Sequence, residues 1–267
     1  MSSIETLTQL VSRIPDGAIV GVPPEYSYVP MEMVRNITIK KIRDLEVICA
    51  PIGGLAVDIL IGAGCVKVLE AAAVSLGEAG QAPQFTKAIQ EGRIEIRDST
   101  CPAIHTGLQA SEKGVPFIPL RGLIGSDILA HRSDWRVIDD PLNEGRGPIV
   151  LIPAIKLDFA LLHSPLGDRY GNVWIGKRRE LMTLSHAARE TLVTVEQITD
   201  DNLLTDEVMS AGTLSNLYIS ALAEVPGGAK PLSLPGHYDC ELEVIAKYAN
   251  SAKTETGFTE FMCRNTS

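Results

Sequence analysis

Short apolar runs alternate with amphipathic stretches along the chain. In the first half, four apolar runs predict strands, at Ala18–Gly21, Leu45–Ala50, Val66–Ala71 and Ile94–Arg97. Segments with helical spacing accompany them, at Pro30–Ile37, Leu55–Ile61, Ala82–Glu91 and Ala103–Lys113. Short apolar strands separated by helices are typical of a parallel sheet covered on both sides. The pattern therefore predicts an α/β fold, an open, mainly parallel sheet with helices on both faces.

The second half continues this alternation. Its predicted strands are Ile149–Ile152, Asp158–Leu162, Asn172–Ile175, Thr191–Val195 and Ile219–Ala223, and its predicted helices are Glu180–Ala188 and Glu241–Ala249. Residues 139–148 are rich in turn formers and charge, which predicts a loop or hinge between two apolar runs. Because the sequence has no fixed-period repeat and no low-complexity tract, we interpret residues 1–267 as a single domain.

The charge and composition exclude several kinds of partner. The formal net charge is -9, and a diffuse acidic surface repels a phosphate backbone, so no nucleic acid is expected as a partner. A coenzyme A phosphate could still be bound by a local basic patch or by backbone N–H groups. Proline, glycine and charged residues interrupt every apolar stretch before it reaches membrane-spanning length, so no membrane partner is expected.

The five cysteines are scattered along the chain, are odd in number and form no C-x-x-C pair. This spacing argues against a disulfide framework and against a zinc site. It predicts a cytoplasmic protein in a reducing environment, without a metal. The five histidines are also far apart, and an isolated histidine is more often a satisfied core or surface residue than a catalytic base.

Three loops rich in glycine, proline or hydroxyl groups follow predicted strands. They are residues 50–54, 75–80 and 98–102. Each alone is compatible with an ordinary turn between a strand and a helix. In a parallel sheet, however, the carboxyl ends of the strands share one edge, and ligands bind in the crevice outside it. The three loops together therefore predict a pocket. A lone G-x-G at Gly62–Gly64 precedes a strand, so it predicts a helix end and not a dinucleotide loop.

Several segments resemble, in order along the chain, the α subunits of class I CoA-transferases, above all glutaconate CoA-transferase. The similar segments are Leu60–Leu69, Asp98–Asp127, Ile152–Asp158, His163–Asn172 and Ala223–Tyr238, the last containing G-A-K-P and G-H-Y. Some phrases, such as P-G-G-A, are closer to the α subunits of a related branch that hydrolytically opens rings in CoA thioesters of steroid breakdown.

This resemblance implies an α subunit of a heteromeric acyl-CoA transferase. Such an enzyme moves coenzyme A between carboxylic acids, so its substrates are an acyl-CoA thioester and a free acid, without a permanently bound cofactor. The nucleophilic glutamate belongs to a β-subunit partner. The alternative from the related branch is a CoA-thioester hydrolase for alicyclic or steroid-derived substrates. A non-catalytic member of the broader fold group, which includes sugar-phosphate isomerases and ligand-sensing regulators, is a further alternative, although no DNA-binding motif is evident.

The candidate site residues come from the three loops and from the block that ends at Asp127. Glu78, in an E-A-G loop after a strand, resembles the β-subunit nucleophile motif and is the candidate catalytic residue; the alternative is an exposed loop glutamate. The candidate substrate-binding residues, which would shape the acyl and thioester site, are Gly53, Gly54, Ser75, Ser99, Cys101, Gly125 and Ser126.

Two positions depart from the family pattern. Transferase α subunits tend to carry glutamine where this chain has Cys101, and the ring-opening branch carries glutamate. The first glycine turn of the family is replaced by Gly21–Pro24, whose two prolines remove two N–H donors. The nature of the acyl group stays open, because few aromatics and many small aliphatic residues suit either a small or an alicyclic acid.

Overall fold

The computed structural model describes residues 3–143 and 145–264 of the chain. Strands and helices alternate through most of it. The strands are β1 (Ser3–Ile4), β2 (Ile19–Val22), β3 (Leu45–Cys49), β4 (Ile52–Gly53), β5 (Val66–Ala71), β6 (Ala73–Val74), β7 (Glu95–Asp98), β8 (Phe117–Leu120), β9 (Arg136–Asp139), β10 (Pro148–Pro153), β11 (Leu157–Asp168), β12 (Val173–Trp174), β13 (Ala188–Thr199), β14 (Thr213–Leu214) and β15 (Ala221–Glu224).

The helices of the described residues include the six that the apolar spacing predicts, with similar bounds, and four further helices. They are α1 (Leu7–Ser12), α2 (Met31–Lys40), α3 (Leu55–Gly62), α4 (Pro83–Gln90), α5 (Cys101–Glu112), α6 (Ile128–His131), α7 (Arg179–Ala187), α8 (Glu207–Ser210), α9 (Leu242–Ser251) and α10 (Glu255–Arg264). None of the helices in the described ranges is both long enough and apolar enough to cross a membrane.

The central sheet is parallel along its main path. Its strands lie in the order β1-β15-β13-β11-β2-β3-β5-β7, and each neighbouring pair is parallel. Only β12 and β14 add antiparallel pairing, beside β11. The predicted mainly parallel α/β fold is therefore confirmed. Because the main-path strands point the same way, their carboxyl ends meet at one edge of the sheet.

Both faces of the sheet are buried under helices. On one face, side chains of β2, β3 and β5 pack against α1 to α4, α9 and α10. On the other, side chains of β11 and β13 pack against α5 and α7. Successive strand residues point to opposite faces, so Val47 joins the first cluster and Ile48 the second. The near-continuous apolar runs of the sequence reflect this double burial.

A small antiparallel sheet, in the order β8-β10-β9, packs beside α5. The segment at 139–148, predicted as a loop or hinge, connects β9 to β10, and Asp139 pairs with Pro148 at its base. Residue 144 lies outside the described residues. The sequence pattern did not predict β8 or β9, because their side chains are largely exposed and the strands are only four residues long.

A buried carboxyl connects three helices on the first face. Asp58, in the first turn of α3, accepts hydrogen bonds from the backbone N–H of Phe85 at 2.7 Å and of Gln84 at 3.3 Å, both in α4. The hydroxyl of Tyr248 in α9 donates to the same carboxyl at 2.7 Å. The side chains of Asp58 and Tyr248 are fully buried. Burial raises the pKa of Asp58, whereas these donors lower it. The bond from Tyr248 therefore fixes the position of α9.

We expect Tyr248→Phe to lower the free energy of unfolding by about 1–3 kcal/mol, because it leaves a buried carboxyl without one of its donors. Urea denaturation followed by circular dichroism measures this loss. Tyr26→Phe is the matched control, since Tyr26 is 54% exposed and its change should stay within about 0.5 kcal/mol. Equal effects of the two substitutions would contradict the structural role of the Asp58–Tyr248 bond.

Candidate functional site

A cavity of about 520 Å³ lies at the carboxyl edge of the central sheet. Its lining comes from three loops that follow β2, β3 and β5, and from residues 232–246, which bring the chain back across that edge. We call it the sheet-edge cavity, and we call residues 225–240 the return segment. The lining residues are Glu25, Tyr26, Ile52, Ser75, Leu76, Gly77, Glu78, Ala79, Leu232, Ser233, Cys240, Leu242, Ile245 and Ala246.

Glu25 is the most unusual group of this lining. The loop after β2 carries it through Pro23 and Pro24 to the amino-terminal end of α3. Gly54 is the cap residue of that helix, and a Cβ at Gly54 would overlap the Glu25 carboxyl. The Oε1 atom of Glu25 is buried and has no hydrogen-bond partner among the described residues. A glycine at position 54 is therefore required for the carboxyl to lie against the helix end.

The surroundings of Glu25 raise the pKa of its carboxyl group. Burial raises the pKa of Glu25 to about 7, although the backbone N–H groups of Ala56 and Leu55 oppose the shift; the nearby Asp58 adds to it. A carboxyl that titrates near neutral pH can hold or release a proton under working conditions, which is the property of a general acid or base. Sequence reasoning missed Glu25. The available signal was a carboxylate directly after a strand and a Pro-Pro turn.

Glu78 and Ser75 line the same cavity from the loop after β6. Residues Gly77–Ala79 form a single 3-10 turn, with positive φ at Gly77 (60°) and Gly80 (96°) that favours glycine at both ends. The Ser75 hydroxyl accepts a hydrogen bond from the Gly77 N–H at 3.1 Å. Both Ser75 and Glu78 are exposed. Glu78 therefore lies on a tight turn at the cavity, reachable from solvent.

Gly53 and Gly54 shape the cavity from behind its lining. A Cβ at Gly53 would lie 2.8 Å from the Sγ of Cys49, so only glycine lets this loop pack against β3. The structure thus brings four of the predicted site residues into one region: Gly53, Gly54, Ser75 and Glu78.

The other four predicted site residues lie outside the lining of the sheet-edge cavity. Cys101 is exposed in the first turn of α5, which Thr100 caps through the Ala103 N–H. Ser99 is only 3% exposed, and its hydroxyl has no partner among the described residues. Gly125, with φ of 85°, and Ser126, whose hydroxyl accepts from the Ile128 N–H, form the turn before α6.

A buried ion pair holds this second region to the central sheet. Arg132, after α6, binds the Glu70 carboxylate at 2.8 Å and donates to the Asp98 carbonyl at 3.1 Å. It also binds Asp134 at 2.8 Å and lies 4.2 Å over the ring of Trp135. Burial raises the pKa of Glu70, and Arg132 lowers it. Since each charge has a partner, we interpret this cluster as structural.

A second polar network fixes the return segment. Glu196 of β13 accepts hydrogen bonds from the Gly227 N–H at 2.8 Å and the Tyr238 hydroxyl at 2.7 Å, and contacts Nε2 of the fully buried His163 at 2.8 Å. Burial raises the pKa of Glu196, but these bonds outweigh it and lower the value to about 2. A Cβ at Gly228 would lie 2.6 Å from His163. The family-like G-G-A-K-P and G-H-Y phrases thus position one wall of the cavity.

The sheet-edge cavity offers carboxyl and hydroxyl groups but no imidazole. Its described lining contains Glu25, Glu78, Ser75 and Ser233, and no histidine, lysine or arginine. A serine or cysteine nucleophile needs an adjacent base or a lowered pKa, and no such pairing with histidine exists in this lining. Within residues 3–143 and 145–264, no cluster of three or more His, Cys, Asp or Glu residues is arranged to hold a metal ion.

Comparison with known sequences gives one family. The model of the coenzyme A transferase family matches residues 4–216. The IpdA subunit of the cholesterol ring-cleaving hydrolase of Rhodococcus jostii is 31% identical over 87% of this chain and 81% of that protein. An uncharacterized protein of Archaeoglobus fulgidus is 32% identical over 76% of this chain, and this chain spans 45% of its length.

Solved structures agree with the sequence comparison. Glutaconate coenzyme A-transferase from Acidaminococcus fermentans superposes with a TM-score of 0.89, at 23% identity, over 99% of this chain and 88% of that chain. The decarboxylase AibA/AibB superposes with a TM-score of 0.87, at 25% identity, over 100% of this chain and 99% of that chain. The first likeness establishes the fold that the strand pairing already shows.

Because folding raises the pKa of Glu25, the stability of the folded chain should depend on pH. The folded chain keeps this proton up to about pH 7, whereas an unfolded glutamate releases it near pH 4.5, so the free energy of unfolding falls as the pH rises between these values. Each pKa unit corresponds to about 1.4 kcal/mol, which makes the loss up to about 3 kcal/mol at pH 8. Glu25→Gln removes the titration, so its melting temperature relative to wild type should rise from pH 5 to pH 8.

Thermal denaturation of both proteins at pH 5 and pH 8 measures this difference. Glu78→Gln is the matched control, because that side chain also lines the cavity but is exposed. A Glu25→Gln chain with the same relative stability at both pH values would mean that the carboxyl is already ionised at pH 5.

Proposed function

We propose that this chain, which belongs to the coenzyme A transferase family, is the α-type subunit of a two-subunit acyl-CoA transferase. The observation that carries the proposal is the composition of the sheet-edge cavity. It is a formed, largely apolar pocket whose described lining has carboxyl groups but no serine or cysteine paired with a histidine. Such a pocket fits one half of an active site whose nucleophile comes from a partner subunit.

The proposed reaction proceeds through the carboxylate of a glutamate on the β subunit. That carboxylate attacks the thioester carbonyl, the C–S bond breaks, and coenzyme A leaves as the thiolate while an acyl-glutamyl anhydride forms. The thiolate then attacks the glutamyl carbonyl, which gives an enzyme thioester and releases the first carboxylate. The second acid repeats these steps in reverse and leaves as the new acyl-CoA. Covalent catalysis in this way divides one difficult exchange into easier steps.

In this proposal, the chain contributes the acyl pocket and one titratable group. The aliphatic side chains of the lining remove the acyl group from water. Glu25, with its pKa near 7, can hold or release a proton beside the pocket. Glu78, on its exposed turn, stays the candidate catalytic residue of this chain.

Hydrolysis of a CoA thioester is the second candidate function. It is favoured by the 31% identity to a protein named as a subunit of a ring-cleaving hydrolase. Water would then replace the second acid in the same pocket. The sequence of the partner distinguishes the two functions, since a glutamate in an E-x-G loop after a strand favours transfer and its absence favours hydrolysis.

We expect the chain alone to be catalytically silent and active only with its β partner, because the nucleophile is supplied in trans. The measurement is exchange of label between an acyl-CoA and a free carboxylic acid, with the purified chain and with the co-expressed pair. Size-exclusion chromatography with light scattering tests whether the pair forms the expected hetero-oligomer. Turnover by the isolated chain would overturn the assignment and would point to Glu78 as the nucleophile.

The position of Cys101 at the assembled site is tested by alkylation. Cys101 is exposed, whereas Cys49 and Cys65 are buried and serve as internal controls. If the loop at residues 98–102 lies at the active site of the pair, saturating acyl-CoA should protect Cys101 from iodoacetamide. Peptide mass spectrometry measures the labelling. Labelling that is indifferent to a bound ligand would remove Cys101 and its loop from the site, and Cys101→Ser should retain substantial activity in either case.

A further inference from the structure

The charges around the sheet-edge cavity restrict what it can hold. Two carboxyl side chains, Glu25 and Glu78, belong to its lining, and no lysine or arginine does among the described residues. A carboxylate transferred into such surroundings loses its hydration and gains no cationic partner. A ligand with a free carboxylate or phosphate at this point is therefore disfavoured.

The cations on the neighbouring elements do not supply the missing charge. Lys230, on the return segment, binds Glu241 at 3.4 Å and lies over the ring of Tyr238. Lys247, on α9, does not belong to the lining although its neighbour Ala246 does. Acidic residues Glu241 and Glu243 flank the lining residue Leu242 in the sequence. The lysines nearby are matched by these carboxylates, so they add no net positive charge to the rim at α9.

The apolar part of the lining indicates the shape of ligand that fits. Aliphatic side chains come from every wall: Ile52 after β3, Leu76 after β6, Leu232 on the return segment and Ile245 on α9. The volume of about 520 Å³ lies within the range of roughly 300–1,000 Å³ that is typical of pockets for drug-sized ligands. The lining has no cation to pair with the phosphates of coenzyme A, so of the two ends of an acyl-CoA the acyl group fits it better.

We propose that the sheet-edge cavity selects acyl groups that are aliphatic or alicyclic and carry no second carboxylate. This inference rests on the proposed function, because it assigns the cavity to the acyl group of a CoA thioester. It separates the chain from glutaconate coenzyme A-transferase, whose name specifies a dicarboxylate. The determinant is the combination of aliphatic walls with two acidic side chains and no lining cation.

The test compares two acyl-CoA probes on the co-expressed pair. Cyclohexanecarboxyl-CoA presents an alicyclic group, and glutaryl-CoA presents a free distal carboxylate. Juxtaposed like charges cost several kcal/mol, and each 1.4 kcal/mol is tenfold, so we expect kcat/KM in acyl exchange to be about 100-fold higher for the alicyclic probe. Isothermal titration without an acceptor acid measures the same preference in binding.

Leu242→Lys tests whether the cavity sets this preference. Leu242 lines the cavity but is 59% exposed, so a lysine can be placed there without burial in the core. The added cation should favour glutaryl-CoA. We expect the ratio of kcat/KM for cyclohexanecarboxyl-CoA to kcat/KM for glutaryl-CoA to fall at least about tenfold, which is the effect of one moderate charge interaction. Leu217→Lys is the matched control, because Leu217 is 85% exposed and lies outside the lining. Ser233→Lys replaces Leu242→Lys if that variant does not assemble with the partner.

The outcomes separate this inference from the proposed function. Exchange activity with equal or better use of glutaryl-CoA would overturn the inference and leave the transferase function intact. Preferential binding of cyclohexanecarboxyl-CoA without any acyl exchange would support the inference and contradict the transferase function. If Leu242→Lys changed the affinity for free coenzyme A by the same factor as that for acyl-CoA, the coenzyme body would lie in the cavity and the inference would be overturned.

Discussion

Parallel pairing along the whole main path of the central sheet is the constraint on which the rest of the structure depends. Each crossover between parallel strands needs a covering segment, so both faces are buried and the carboxyl ends collect at one edge. The loops that follow β2, β3 and β5 meet there because these strands are neighbours, not because their sequences are similar. The sheet-edge cavity is the space between these loops and the chain that returns across them.

The wall formed by the return segment depends on buried polar groups that satisfy one another. His163, Glu196 and Tyr238 come from three distant parts of the chain, and each fills a hydrogen-bonding requirement of another. In a medium of low dielectric constant, such a network is stabilising only when it is complete. The wall therefore has one defined position, which limits the shapes of ligand that the cavity can hold.

The apolar pattern predicted the strands and helices whose side chains are buried by apolar packing. It did not predict strands that are exposed or that are extended by buried polar residues with hydrogen-bond partners. Val66–Ala71 has the predicted bounds because its apolar run is continuous. β11 continues to Asp168, well beyond the predicted end at Leu162, since His163 and Asp168 are buried with partners that no local pattern reveals. Glu25 could not be predicted for the same reason. Its pKa near 7 arises from packing against α3, thirty residues further along the chain.

Four of the predicted site residues lie at the sheet-edge cavity and four lie outside its lining, and this separation helps to explain how one fold can serve several reactions. The glycine and acidic loops enclose the sheet-edge cavity, whereas Ser99 and Cys101 lie on the neighbouring end of β7, outside its lining. Relatives of this chain carry the names of a transferase, a hydrolase and a decarboxylase, which agrees with chemistry that resides in loops and not in the sheet. Because the sheet-edge cavity and the exposed position 101 belong to different loops, either can vary in sequence while the other is kept. In the proposed function, the choice of acyl group and the chemistry at position 101 would then be physically separate properties of the same edge.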